Sequence, residues 1–246
     1  MSDTAQEWFD ILILLGRPAS GKSEIIHYLK STDKTNRIRR FHIGEFEEID
    51  DFPMLWSWFE EDMILSEMGK QRLHTTANGY FSETFFWDLL IQRISLEYKK
   101  RLKRDPLYHN HYTAIIEFSR GSEHGGYRRA FEQLSDEILS SSAVLYINVS
   151  FKESVRKNRL RYNPNEPDSI LQHSLPDDKM KKLYKECDWS DFSSAHPNYL
   201  EAKGIHTPYT VFDNEDDVTT KPSDALGRRL EKTLTRLWEL YIKKTS

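Results

Sequence analysis

The sequence predicts an α/β protein: a single domain over residues 1–246, with a five-stranded parallel sheet between two layers of helices. Three observations carry this. Short, uninterrupted apolar runs recur along the chain, as strands buried on both faces require. Segments with helical spacing separate them, and such alternation implies right-handed crossovers and parallel pairing. The composition allows a sizeable core, with 246 residues, 38% apolar and 13% aromatic, and its ten glycines and nine prolines are too few for Pro/Gly-rich disorder.

The first strand is read at 10–15, Asp10-Ile-Leu-Ile-Leu-Leu, and Gly16 closes it. Apolar residues at 25, 26 and 29 give the following segment, 23–30, the spacing of a helix. Residues 39–43 read as a second strand. Residues 53–74 and 82–104 read as helices. The latter has a broad face of Leu89, Leu90, Ile94 and Leu96, and a basic end at 98–104 that opposes the negative dipole end. Asp105-Pro106 breaks it. A third strand at 112–118, a helix at 127–140, a fourth strand at 143–149 and a helix at 152–160 follow. Residues 161–206 are polar and poorly periodic, and read as an excursion from the core. The fifth strand is 209–213. An amphipathic helix over 222–244, through Leu226, Leu230, Leu234 and Leu237, closes the chain.

Composition also excludes. The longest aliphatic run is five residues, far short of the roughly 20 that span a membrane. The first residues have neither a basic nor an apolar region of a secretory signal, so a cytoplasmic protein is expected. The net charge of −4 argues against a nucleic-acid coat. Cys187 is the only cysteine and permits neither an internal disulfide nor a cysteine-built zinc site. Ser119 and Ser122 lack a base suited to nucleophilic catalysis.

The first strand runs into Gly16-Arg17-Pro18-Ala19-Ser20-Gly21-Lys22-Ser23, followed by Glu24. This fits G-x-x-x-x-G-K-[ST], placed between a strand and a helix as the phosphate-binding reading demands. Its glycines allow a curl that aims successive N–H groups at phosphate oxygens. The helix start adds partial positive charge. In that reading Lys22 reaches the β- and γ-phosphates and the Ser23 hydroxyl holds Mg²⁺.

With these residues, the chain resembles the small-molecule and nucleotide kinase group of P-loop NTPases, the adenylate-kinase-like and shikimate-kinase-like enzymes. The likeness spans about residues 10–217, leaving out 45–105 and 162–206. It implies a P-loop three-layer fold with ATP and Mg²⁺ bound and the γ-phosphoryl group passed to a small-molecule acceptor, whether nucleoside, nucleotide, sugar or similar metabolite. It further implies a helical acceptor-side insertion at 45–105 and a lid and excursion at 152–206. No N-K-x-D motif follows the fourth strand, so ATP is expected rather than GTP. The same residues leave open a P-loop protein whose nucleotide binding or hydrolysis acts on a macromolecular partner. Oligomeric state is open.

Glu117 ends the third strand, where a carboxylate serves either in the Mg²⁺ shell or as acceptor of the hydroxyl proton. Arg120 follows as a candidate clamp for an anionic group. After the fourth strand, Arg156 and Arg159 lie three apart on one helix and Arg161 near its end. The resemblance implies that arginines here close on the transferring phosphoryl group, with Arg159 and Arg161 leading. Residues 152–185 hold nine Lys/Arg against five Asp/Glu. The loop at Asn214, after the last strand, is implied to pack beside the base. Residues 44–67 hold nine Asp/Glu and no Lys or Arg, next to a crowd of aromatics. An acidic, aromatic acceptor side repels polyanions and suits a nucleoside, sugar or other neutral acceptor. The resemblance makes Glu45 a candidate there for an acceptor hydroxyl, against the plainer reading in which these acids face solvent and most of the aromatics are core.

Overall fold

The computed structural model describes residues 7–161 and 174–245. Its elements, in chain order, are β1 (Ile11–Gly16), α1 (Lys22–Ser31), α2 (Lys34–Phe41), β2 (Glu45–Asp50), α3 (Asp51–Glu67), α4 (Phe85–Arg104), α5 (Tyr108–His111) and β3 (Tyr112–Phe118). Then come α6 (Gly126–Gln133), α7 (Asp136–Ser141), β4 (Ser142–Asn148), α8 (Phe151–Arg161), α9 (Asp177–Tyr184), α10 (Trp189–Phe192), β5 (Tyr199–Ala202), β6 (Ile205–Asp213) and α11 (Asp224–Thr245).

Among the described residues, the sheet has six strands in the order β2-β3-β1-β4-β6-β5. All pairs are parallel except β5 with β6. The expected five strands are therefore joined by a sixth, antiparallel at the edge. β1 lies at the centre and is buried at every position. Its alternate side chains feed two cores, as the two-residue period of a strand dictates. Ile11, Ile13 and Leu15 pack with Ile94, Phe131 and Ile138 on one face. Leu12 and Leu14 pack with Ile25, Leu29 and the α11 leucines 226, 230, 234 and 237 on the other. This is a mixed α/β architecture with helices on both faces. Among the described residues, no helix is long and apolar enough to cross a membrane.

The second strand is 45–50, not 39–43. Residues 34–41 are helical because Asp33 caps them, its side chain accepting from Asn36 N at 3.0 Å. β2 escapes an apolar-run search because it is an edge strand: three of its six residues are glutamates and only Ile49 is buried. Charged edges block unwanted pairing. The helix read at 53–74 starts two residues earlier and ends at Glu67. Residues 70–84 form a loop closed by a Thr75–Phe81 bridge. The helix read at 127–140 is two helices, since Ser135 caps α7 through Ile138 N. The excursion at 161–206 contributes α9, α10 and β5, while its 162–173 portion lies outside the described residues.

Candidate functional site

At the carboxyl end of the central strand the chain curls before entering α1. Gly16 has φ 156° and Gly21 φ 113°. A Cβ on Gly16 would meet Ser20 Oγ at 2.5 Å and the Ile147 carbonyl at 2.7 Å; one on Gly21 would meet Thr219 Oγ1 at 2.6 Å. Ala19 between them is left-handed at φ 56°. Such alternation turns backbone amides toward one concavity, the geometry of an anion cradle. Backbone bonds inside it are sparse, namely Ser20 N to Arg17 O and Ile25 N to Gly21 O. The first-turn amides of α1 have no intrahelical acceptor, as at any helix start.

The curl is held from outside. Buried Asn214 donates through Nδ2 to Ser20 O and to Thr219 Oγ1, each at 2.7 Å. Ser154 Oγ donates to Pro18 O at 2.7 Å. Asn214, expected beside a base, is thus placed as a brace of the loop. Arg17 points away from the concavity: its guanidinium donates to Tyr184 O, Val149 O and Lys185 O. A cation there satisfies the last carbonyls of α9.

Lys22 folds back into the site. Its Nζ donates to Gly16 O at 3.3 Å, Arg17 O at 3.2 Å and Ser119 Oγ at 2.8 Å, and lies 3.8 Å from Glu117 Oε1. Burial lowers its pKa from the usual lysine value, opposed by the Glu117 charge. Glu117 is raised for the same reason, burial, with Lys22 and Arg161 pulling it back. The β2–β3 register sets Asp50 opposite Glu117. Burial, then the charges of Glu117 and Asp51, push Asp50 up to about 8. Asp50 was not singled out from sequence. With the second strand read six residues early, 50–51 counted only as part of an acidic stretch.

These groups face a chamber of about 150 Å³ whose walls include Ala19, Lys22, Ser23, Asp50, Glu117, Arg120 and Arg161. The loop, strand-end carboxylates and helix-end arginine are therefore brought together. Arg120 is present but engaged, donating to Asp51 Oδ2 at 2.6 Å and Ser119 O at 2.7 Å. Arg161 donates to Glu24 Oε1 at 3.0 Å, and that charge holds Glu24 below its usual range despite burial. Arg159 does not line the chamber; it is 66% exposed and paired with Asp177. Residues two apart on a helix point roughly 200° apart, and of Arg156, Arg159 and Arg161 it is Arg161 that lines the chamber. Arg156 bonds Glu153 and Asp217, beside the Asn214 loop.

The chamber shares the walls Phe52, Leu55, Trp87, Leu175 and Tyr184 with a neighbouring cavity of about 600 Å³. Trp56, Phe59, Tyr80 and Phe81 complete its aromatic lining. These four come from α3 and the 70–84 loop, within the segment read from sequence as an acceptor-side insertion. Trp58 and Phe86 instead form a small core of their own. Glu45 is remote from this cavity. It starts β2, at the end of the sheet opposite Asp50, and pairs with Arg37 at 3.2 Å.

The donor set fits a phosphate chain with a divalent cation: a glycine-shaped cradle, a buried lysine, the Ser23 hydroxyl and two strand-end carboxylates. No protein-family model matches the chain, and no curated protein matches it. Among solved structures, the chain is similar to an unliganded sugar kinase from Janibacter sp. HTCC2649, at 12% identity and TM-score 0.42, over 96% of this chain and 98% of that one. It is also similar to APE1195 at 15% identity and to TT1252 from Thermus thermophilus at 14%, each with TM-score 0.40 over 94% of this chain and 97% of the other. Likenesses this distant leave the chemistry to the residues themselves.

Proposed function

We propose that the protein is a phosphotransferase that uses Mg·ATP to phosphorylate a small-molecule acceptor. One observation carries the reading: the cradle at 16–23 and the Asp50–Glu117 pair face a single small chamber that shares five wall residues with an aromatic cavity of ligand size. When bound, Mg·ATP supplies the transferable phosphoryl group and the metal charge that offsets its oxygens.

The chain's own residues do the rest. Loop amides and Lys22 seat the phosphates, which requires Lys22 to exchange its carbonyl partners for phosphate oxygens. Ser23 and one strand-end carboxylate would hold the metal. The other carboxylate accepts the proton of the attacking hydroxyl. Arg161, released from Glu24, reaches the transferring group. The aromatic walls and the roof from α9 exclude water, which otherwise competes as acceptor.

The test is ADP release with Mg·ATP in the presence and absence of candidate acceptors. A slow basal rate that a small molecule accelerates supports the proposal. A rate that responds only to a macromolecule replaces it with a nucleotide-driven switch. Lys22→Ala is expected to lower the accelerated rate by about 10²-fold or more.

A further inference from the structure

The charges of the two linked spaces narrow the acceptor. In the chamber, three carboxylates, Asp50, Asp51 and Glu117, meet three cations, Lys22, Arg120 and Arg161. Arg120 is committed to Asp51 at 2.6 Å. Lys22 and Arg161 are the groups a phosphate chain would engage. What then faces an incoming acceptor is the Asp50–Glu117 pair, with no lining cation left to hold an anionic reacting end.

The outer rim carries no excess of positive charge: its cations Arg72, Lys179 and Lys182 are equalled in number by Glu60, Glu83 and Glu123. Arg72 donates to Thr75 and Ser66. Lys179 donates to Gly79 O and lies, with Lys182, over the ring of Tyr80 at 5.3 and 4.3 Å. Between rim and chamber the walls are aromatic, and such walls hold planar rings. The space suits a ligand larger than a simple sugar.

From this arrangement we infer that the acceptor is an uncharged, ring-bodied alcohol of nucleoside or aryl-glycoside size, its ring among Trp56, Phe59 and Trp87 and its hydroxyl turned to Asp50 and Glu117. The inference rests on the phosphotransfer reading above. In the step it implies, the acceptor oxygen bonds to the γ-phosphorus as the bond to the β–γ bridging oxygen breaks. The electron pair leaves with ADP, and the hydroxyl proton passes to one of the two carboxylates.

Trp56 and Trp87 in the lining supply a readout that needs no nucleotide. Tryptophan quenching is titrated with matched pairs, uridine against UMP and phenyl β-glucoside against phenyl β-glucuronide. At least one neutral member should bind about ten-fold or more tighter than its anionic counterpart. Phe59→Leu should weaken that binding while leaving Mg·ATP affinity unchanged. Anionic members binding as tightly or tighter, no neutral member binding at millimolar concentration, or indifference to Phe59→Leu would overturn the inference. Calorimetry with Mg·ATP on the same preparation separates the failures. Nucleotide binding without a neutral preference removes only the acceptor class, whereas no nucleotide binding removes the reading beneath it.

Discussion

Lys22 and Glu117 stand 3.8 Å apart, and burial pushes each toward its neutral form. Asp50 completes this strained group, raised to about 8. A folded-state pKa above the unfolded value means that the folded state binds more protons between about 4 and 8. Stability is therefore lost as pH rises through that window. Asn at position 50 keeps the bond that caps α3, in which Phe52 N donates at 2.9 Å, and removes the buried charge. Asp50→Asn is expected to melt higher than the wild type at pH 8 in chelator, with the difference vanishing near pH 4, while losing acceptor-dependent turnover. Thermal melts at the two pH values and an ADP-release assay check this, and equal Tm values at pH 8 would contradict it. Lys22, Ser23 and Glu117 were legible as candidates at this scale because motif spacing and a strand end declare them, whereas Arg161 came only from the family resemblance. Asp50 was not, because its role depends on a cross-strand register that local pattern does not encode.

Two polar braces shape the elements around the site. Asp62, fully buried on α3, accepts from the amides of Leu73, His74 and Thr75 and from Thr75 Oγ1. Burial opposes its ionisation, yet those bonds win and hold the carboxyl at about 2. Its contribution is present above pH 4 and is lost as pH falls toward 2. Asp62→Ala should cost about 3 kcal/mol in denaturant melts and expose the 70–84 loop to protease. An unchanged midpoint would contradict the assignment. Asn214 acts likewise on the phosphate loop. Asn214→Ala strands the Ser20 carbonyl, and Mg·ATP affinity should fall about ten-fold with the fold retained, as calorimetry and circular dichroism would show. The helices and central strands were legible because their apolar periods are strong. β2 was not, because an edge strand needs no apolar run, and the break at Ser135 was hidden because apolar periodicity continues across the cap.

At the scale of the molecule, β1 divides two cores and delivers its loop to the carboxyl edge of the sheet, where ligands of open α/β folds bind. The core on the α11 face is continuous, so Leu230→Ala should cost about 2–5 kcal/mol without altering the site geometry. Alternation of strands and helices made the architecture legible. The sixth strand was not, because four residues pairing antiparallel at an edge carry no distinctive pattern. The junction of chamber and cavity was not legible either, since it assembles residues from 18 to 184. The central claim is that the 16–23 curl seats a triphosphate. Isothermal calorimetry with a non-hydrolysable Mg·ATP analogue tests it most directly. The account predicts saturable binding by the wild type, weakened about ten-fold or more in Lys22→Ala, whereas no heat from any purine triphosphate, or equal affinity in the two proteins, would contradict it.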